Sequence, residues 1–190
     1  MGRFRQVIAA LALLVVACAA PKAVGTEITP TAAPDFTLVD GITGRPTTLS
    51  SLQGNVVVLA FLYTHCPDVC PLTAEEFRQA QQKLTDGERD RTVFVAVSVD
   101  PLQDTPQAVQ AFAKDHGLAK SFLYLIGSAA QLQAVWSAYG IKTETDPTTA
   151  VGHSDAIYLL DRKGQVRLLV HSNISAADLA TDVKVLAAER

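Results

Sequence analysis

Apolar residues fall along this chain in runs of two kinds. Residues 55–63 (NVVVLAFLY) and 92–100 (TVFVAVSVD) are continuous and rich in β-branched side chains, the pattern of strands buried on both faces. Residues 122–126 (FLYLI) form a shorter run of the same kind, and 155–161 and 165–170 flank the turn Arg162-Lys163-Gly164 as a hairpin. Residues 35–40 (DFTLVD) alternate and then meet Gly41 and Gly44, which predicts a strand and turn of an N-terminal hairpin, with a short helical turn over 48–54. Between the runs lie segments that start like helices. Pro71 opens one, from Leu72 to about Thr85, with Glu75 and Glu76 in its first turn. Thr105, Ser128 and Ser175 cap three more, ending near His116, Tyr139 and Ala188. Residues 142–152 (KTETDPTTAVG) read as a polar loop. The order is β, then βα-βα, then β-β-α. This predicts an α/β fold with helices covering both faces of a sheet.

The N-terminus has a different pattern. Arg3 and Arg5 precede the apolar run 7–17, which is shorter than the roughly 20 residues a membrane span needs and suits a secretory signal. The run ends in VVAC, which resembles a bacterial lipobox, so Cys18 is the expected lipidated first residue of the mature chain. An ordinary signal peptide with an incidental cysteine is the alternative. Residues 22–34 (KAVGTEITPTAAP) read as a flexible tether. The expected division is 1–17 signal peptide, 18–33 lipidated N-terminus and tether, and 34–190 a single domain. The expected location is outside the cytoplasm, anchored by lipid to a membrane facing the periplasm or the cell exterior.

Composition supports a packed core: 48% of the 190 residues are apolar and 18% charged. The net charge of −3, without a basic block, gives nucleic acid no foothold. No phosphate-cradling glycine loop, HExxH or GxSxG is present.

Candidate chemistry gathers in residues 63–71, YTHCPDVCP. An exported domain lives where disulfides persist, and with Cys18 lipidated only Cys66 and Cys70 remain. A bridge between them would close too small a loop to staple much of the fold. With the helix opening at Pro71, Cys70 is expected at its start, where free N–H groups favour a thiolate. Two thiolates suit soft metals such as Cu(I), but a firm site needs a third ligand. Of the four histidines, His65, His116 and His171 read as exposed. His153 stands just before a buried strand, where a lone histidine is ordinarily a satisfied core or turn residue; placed across from the cysteine loop it becomes a ligand candidate.

A buried strand, a cysteine loop at its carboxyl end and a helix together resemble the thioredoxin fold, here with an N-terminal β-hairpin extension. YTHCPDVCP, SVDPLQDTP (98–106) and Gly152-His153-Ser154 resemble, in that order, three motifs of the Sco/SenC family of copper-binding proteins. The last departs from the usual DHS by having Gly152 for Asp. The resemblance implies Cys66, Cys70 and His153 as ligands for Cu(I), and for Cu(II) as well. It implies assembly of the binuclear copper centre of cytochrome c oxidase, by copper delivery or by reduction of that centre's cysteines. The implied partners are the oxidase subunit that bears this centre, and other copper carriers or thiol–disulfide proteins. It places Asp100 and Asp104 behind the ligands or facing a partner, with a strand-end turn and helix capping as the plainer reading. The main rival is an exported thiol–disulfide oxidoreductase, in which the CxxxC pair reduces disulfides without copper. A peroxiredoxin fits less well, since Tyr63 stands where those proteins carry Thr or Ser.

Overall fold

The structure, a computed structural model, describes residues 22–118, 121–144 and 152–189. Its centre is the expected pair of apolar runs. Strand β4 (Val56–Leu62) is buried at every position, and β5 (Thr92–Ser98) lies parallel to it from Val56↔Thr92 to Leu62↔Ser98. Strand β6 (Phe122–Ile126) continues the parallel set on the far side of β5. On the other side of β4 the hairpin β9 (Ile157–Leu160) and β10 (Gln165–Val170) runs antiparallel, closed by a turn in which Gly164 takes a φ of +77°. That φ is open to glycine without strain. The predicted N-terminal hairpin is present as β2 (Thr37–Asp40) and β3 (Pro46–Thr48), with β2 joined antiparallel to β6.

The stretch expected to be a tether is structured over much of its length. Thr26–Ala32 forms strand β1, which pairs antiparallel with β10 and completes the order β1-β10-β9-β4-β5-β6-β2-β3. Its Ala, Thr and Pro content misled because an edge strand with six exposed positions of seven needs little apolar content; backbone pairing holds it. The folded unit therefore begins before residue 34. Cys18 and the signal-like run lie outside the described residues. No helix among the described residues is long and apolar enough to cross a membrane.

Helices cover both faces. Helix α1 (Val69–Lys83) follows β4, and the short α2 (Asp86–Arg89), which the apolar pattern did not announce, leads into β5. Helices α3 (Pro106–Asp115), α4 (Ala129–Ala138) and α5 (Ala176–Ala188) carry the three expected caps, Thr105, Ser128 and Ser175. Phe77 of α1 packs on Phe94, and Phe112 of α3 on Tyr124, on one face of the sheet. Tyr139, which ends α4, packs on Phe61 and Tyr158 on the other. The alternation of side chains along β4 and β5 sets these two faces. The parallel strands thus end together, and the loops after β4 and β5 meet at one end of the sheet. In open α/β sheets that end is where ligands bind.

Candidate metal and thiol site

The site is built on the turn from β4 into α1. Helix α1 begins at Val69, three residues before the sequence suggested. Pro71 occupies its third position, which costs nothing because the first-turn N–H groups have no intrahelical acceptors. The earlier start exchanges the expected roles of the two cysteines. Cys70 is inside the first turn with no exposed surface, while Cys66 is half-buried in the loop ahead of it. Both are free thiols.

The Cys70 N–H points at Cys66 Sγ, 3.3 Å away, so it is Cys66 that rests on the open end of the helix. Burial works against a charge on Cys66, but the N–H groups of Asp68 and Cys70, the Cys70 thiol and the Tyr63 hydroxyl outweigh it and hold its pKa below the usual thiol value. Burial pushes the Cys70 thiol far up, and the neighbouring Cys66 charge adds to that despite an opposing hydrogen bond with the Tyr63 backbone. The Tyr63 hydroxyl is driven up as well, first by burial and then by Cys66. The ease of ionisation expected of Cys70 therefore belongs to Cys66 instead.

Behind the loop sits Asp104, only 5% exposed. Its carboxylate accepts from Thr64 N–H at 2.8 Å, the Thr64 hydroxyl at 2.7 Å, the Ser98 hydroxyl at 2.6 Å and the Tyr124 hydroxyl at 3.1 Å. Burial raises its pKa against the pull of these four donors. Asp100 is equally buried and serves the local turn: it accepts from the N–H groups of Leu102 and Gln103 and from the Gln103 side chain. Both acids lie inside the protein, with Asp104 supporting the thiol loop and Asp100 shaping the strand-end turn. Sequence reasoning missed Thr64, Ser98 and Tyr124. Two of them stand inside quoted motifs, but nothing in the spacing says that their hydroxyls converge.

Two of the three histidines expected at the surface are there. His65 is exposed, its Nδ1 3.0 Å from the Thr64 hydroxyl. His171 is exposed and held to the Asp155 carbonyl at 2.6 Å. His116 is half-buried, its ring packed at a tilt of 52° on that of Phe112, centroids 4.5 Å apart, rather than free at the surface. The backbone of His153 lies in the two-residue strand β8 (Gly152–His153), opposite Thr143 of β7 (Thr143–Glu144). The Ser154 N–H fixes this ribbon to the Lys142 carbonyl at 3.0 Å. From there the chain enters β9, whose first residue pairs with Ala60 near the carboxyl end of β4. His153 thus enters the sheet at its thiol-bearing end; its side chain lies outside what the structure describes. Among the described residues no third His, Cys, Asp or Glu joins the two thiols in a ligand cluster.

The SCO1/SenC family model matches residues 25–188, nearly the whole described fold. The chain belongs to this family. A Stutzerimonas stutzeri protein is 32% identical to this SCO1/SenC chain over 140 residues, 72% of this chain and 67% of its own length. The match to the yeast mitochondrial protein SCO2 spans less than half of that protein, 44%. Among solved structures, ScoI of Bradyrhizobium japonicum with copper bound aligns at a TM-score of 0.73 and 28% identity, covering 82% of this chain and 99% of that one. A SCO1/SenC family lipoprotein of Bacillus anthracis aligns at 0.73 and 25% identity, over 85% and 99%. The thioredoxin-like fold expected from the sequence is the fold of these SCO1/SenC structures.

Proposed function

We propose that this SCO1/SenC protein carries copper as cargo between Cys66, Cys70 and His153 and serves assembly of the binuclear copper centre of cytochrome c oxidase, held to its membrane by lipid on Cys18. The observation that carries the reading is the paired thiols on the β4–α1 turn, with Cys70 N–H donating to Cys66 Sγ at 3.3 Å. Thiolate sulfur is soft and matches Cu(I), and a neutral imidazole is a suitable third donor for either valence. Family membership and the copper-bound Bradyrhizobium relative support the choice of metal. The lipoprotein relative supports the anchor. In this reading the chain's own groups do three things: the helix start stabilises the Cys66 thiolate, Asp104 fixes the loop through Thr64, and burial keeps Cys70 protonated until a ligand displaces its proton.

The inequality of the thiols favours a second activity at the same place, reduction of a partner disulfide. The Cys66 thiolate attacks one partner sulfur, forming a mixed disulfide and releasing the other as a thiolate. Cys70, once deprotonated, attacks Cys66, and the two electrons leave with the reduced partner while Cys66–Cys70 becomes the disulfide.

The test is an anaerobic Cu(I) titration of the reduced chain from Lys22 onward against a competing chelator, beside Cys66→Ser, Cys70→Ser and His153→Ala. One tight copper per chain, weakened by each change, is expected. Unchanged affinity in the histidine variant would remove His153 from the site, and no tight binding by the parent chain would leave disulfide reduction as the function.

A further inference from the structure

The two ends of the sheet differ in surface chemistry. The large apolar side chains exposed among the described residues are Val24, Val39, Val69, Leu72 and Leu102. Val69 and Leu72 lie in the first turn of α1, directly after β4, and Leu102 lies in the turn after β5. Val39 pairs with Ile126, the last residue of β6. Val24 precedes β1, whose first residue Thr26 is level with Leu169, Tyr158 and, through them, Leu59, so the chain before it continues toward the thiol end. The opposite end carries none of these side chains and a denser set of charges. Asp86, Asp90, Arg91 and Lys163 are exposed there, and Arg89 and Arg162 half-buried.

The point where the N-terminal segment joins the fold is fixed. Asp182 of α5 accepts from Val24 N–H at 2.6 Å and from Gly25 N–H at 3.0 Å. Six peptide links separate Val24 from Cys18, a reach of at most about 22 Å. From Val24 down to Ala33, whose N–H bonds the Gly164 carbonyl at the charged end, extended chain covers about 30 Å. A lipid on Cys18 therefore cannot lie beneath the charged end. It reaches the thiol end with length to spare.

We propose that the anchored protein turns its thiol-bearing end toward the bilayer, with Val24, Val69, Leu72 and Leu102 against the lipid surface. This rests on the lipid anchor at Cys18 but not on copper. Asp68 and Asp155 are exposed at the same end beside the cation of Lys142, so the end has no basic excess and the surface it fits is zwitterionic rather than strongly anionic. A few aliphatic side chains give too little apolar area to bind a membrane unaided, but tethering raises the local lipid concentration enough for weak contacts to orient the domain. The site would then be offered to acceptors lying close to the membrane plane.

The experiment takes the chain from Cys18 with Cys66→Ser and Cys70→Ser, couples its single thiol to a maleimide lipid, and places it on zwitterionic nanodiscs holding a gadolinium-chelate lipid. Paramagnetic relaxation of backbone amides is read along the chain. The expected result is enhancement several-fold larger at Leu72 and Leu102 than at Arg91 and Lys163, reduced by Leu72→Ser with Leu102→Ser, and absent without the tether. Equal enhancement at both ends, or the reverse order, overturns the proposal and makes the apolar rim a face for a protein partner. An orientation unmoved by the double serine change overturns the lipid contact. Because the lipid is attached chemically, failure of cells to lipidate Cys18, read from the mass of the membrane-fraction protein, would count against the anchor alone.

Discussion

Asp104 holds Thr64 twice, by its backbone N–H and by its hydroxyl, and Thr64 stands two residues before Cys66. The loop after β5 thus fixes the loop after β4 through one buried carboxylate, which also gathers Ser98 and Tyr124. The thiol loop owes its position to this clamp as much as to the helix that follows it.

Asp104→Ala would leave buried donors on Ser98 and Tyr124 and free the Thr64 N–H. A loss of about 2–4 kcal/mol is expected, the range for stranding buried hydrogen-bond partners of a charge. Asp104→Asn should cost far less, since its oxygen can stay on Thr64 while the two hydroxyls rotate to accept from its amide. Urea unfolding gives the order of the two variants. Amide exchange should quicken over 64–69 in Asp104→Ala; unchanged exchange there would show that the loop does not depend on the clamp.

The cysteines should differ in reactivity. Cys66 is half-buried with a lowered pKa, while Cys70 is sealed in with a strongly raised one. An acid with a depressed pKa holds its charge down to lower pH, so the Cys66 thiolate fraction at neutral pH exceeds that of an ordinary thiol. Iodoacetamide at neutral pH should label Cys66 first. Cys70→Ser should keep a reactive thiol, and Cys66→Ser should leave a nearly inert one. Mass mapping of the alkylated peptide decides it, and equal labelling would refute the inequality of the thiols.

The sheet was readable because its central strand, residues 56–62, is apolar at every position, and the caps at Thr105, Ser128 and Ser175 because their side chains act on N–H groups three residues away. The two cysteines and Asp104 were visible as motifs. Helix α1 starts before its proline, so which thiol ionises more readily depended on a backbone detail that spacing does not encode. The Thr64, Ser98 and Tyr124 hydroxyls meet only through parallel pairing of strands far apart in sequence. Strand β1 escaped because an edge strand is held by backbone bonds that composition does not report.

Gly25 lets β1 lie close to its neighbours. A Cβ there would stand 2.5 Å from Val170 Cγ1 and 2.9 Å from Asp182 Oδ2. Gly25→Ala must push the entering chain off both, and overpacking of this kind costs about 1–3 kcal/mol. Chemical denaturation measures the loss. Amide protection should fall at Thr26 and Leu169, which face each other across the first pair of β1. An alanine variant as stable as the parent would mean that β1 shifts freely, and the fixed entry point at Asp182 would be lost with it.

Asp182 gives a pH test of the same attachment. Burial raises its pKa above 3.8, against the hydrogen bonds from Val24 and Gly25, and the Asp178 carboxylate adds to the rise. Asp35 and Glu75, by contrast, are lowered, so the fold as a whole is not expected to follow Asp182. A carboxyl with a raised folded pKa binds its proton more tightly in the fold than in the unfolded chain. Its contribution is therefore fully present below the unfolded value and is lost as pH rises through the folded one. Asp182→Asn cannot titrate, so subtracting its stability isolates this group. The difference, parent minus Asp182→Asn, should fall as pH rises from below 3.8 toward neutrality, measured by urea unfolding at each pH. A difference that rises instead would mean that the Val24 and Gly25 N–H groups outweigh burial and hold Asp182 as a stabilised anion.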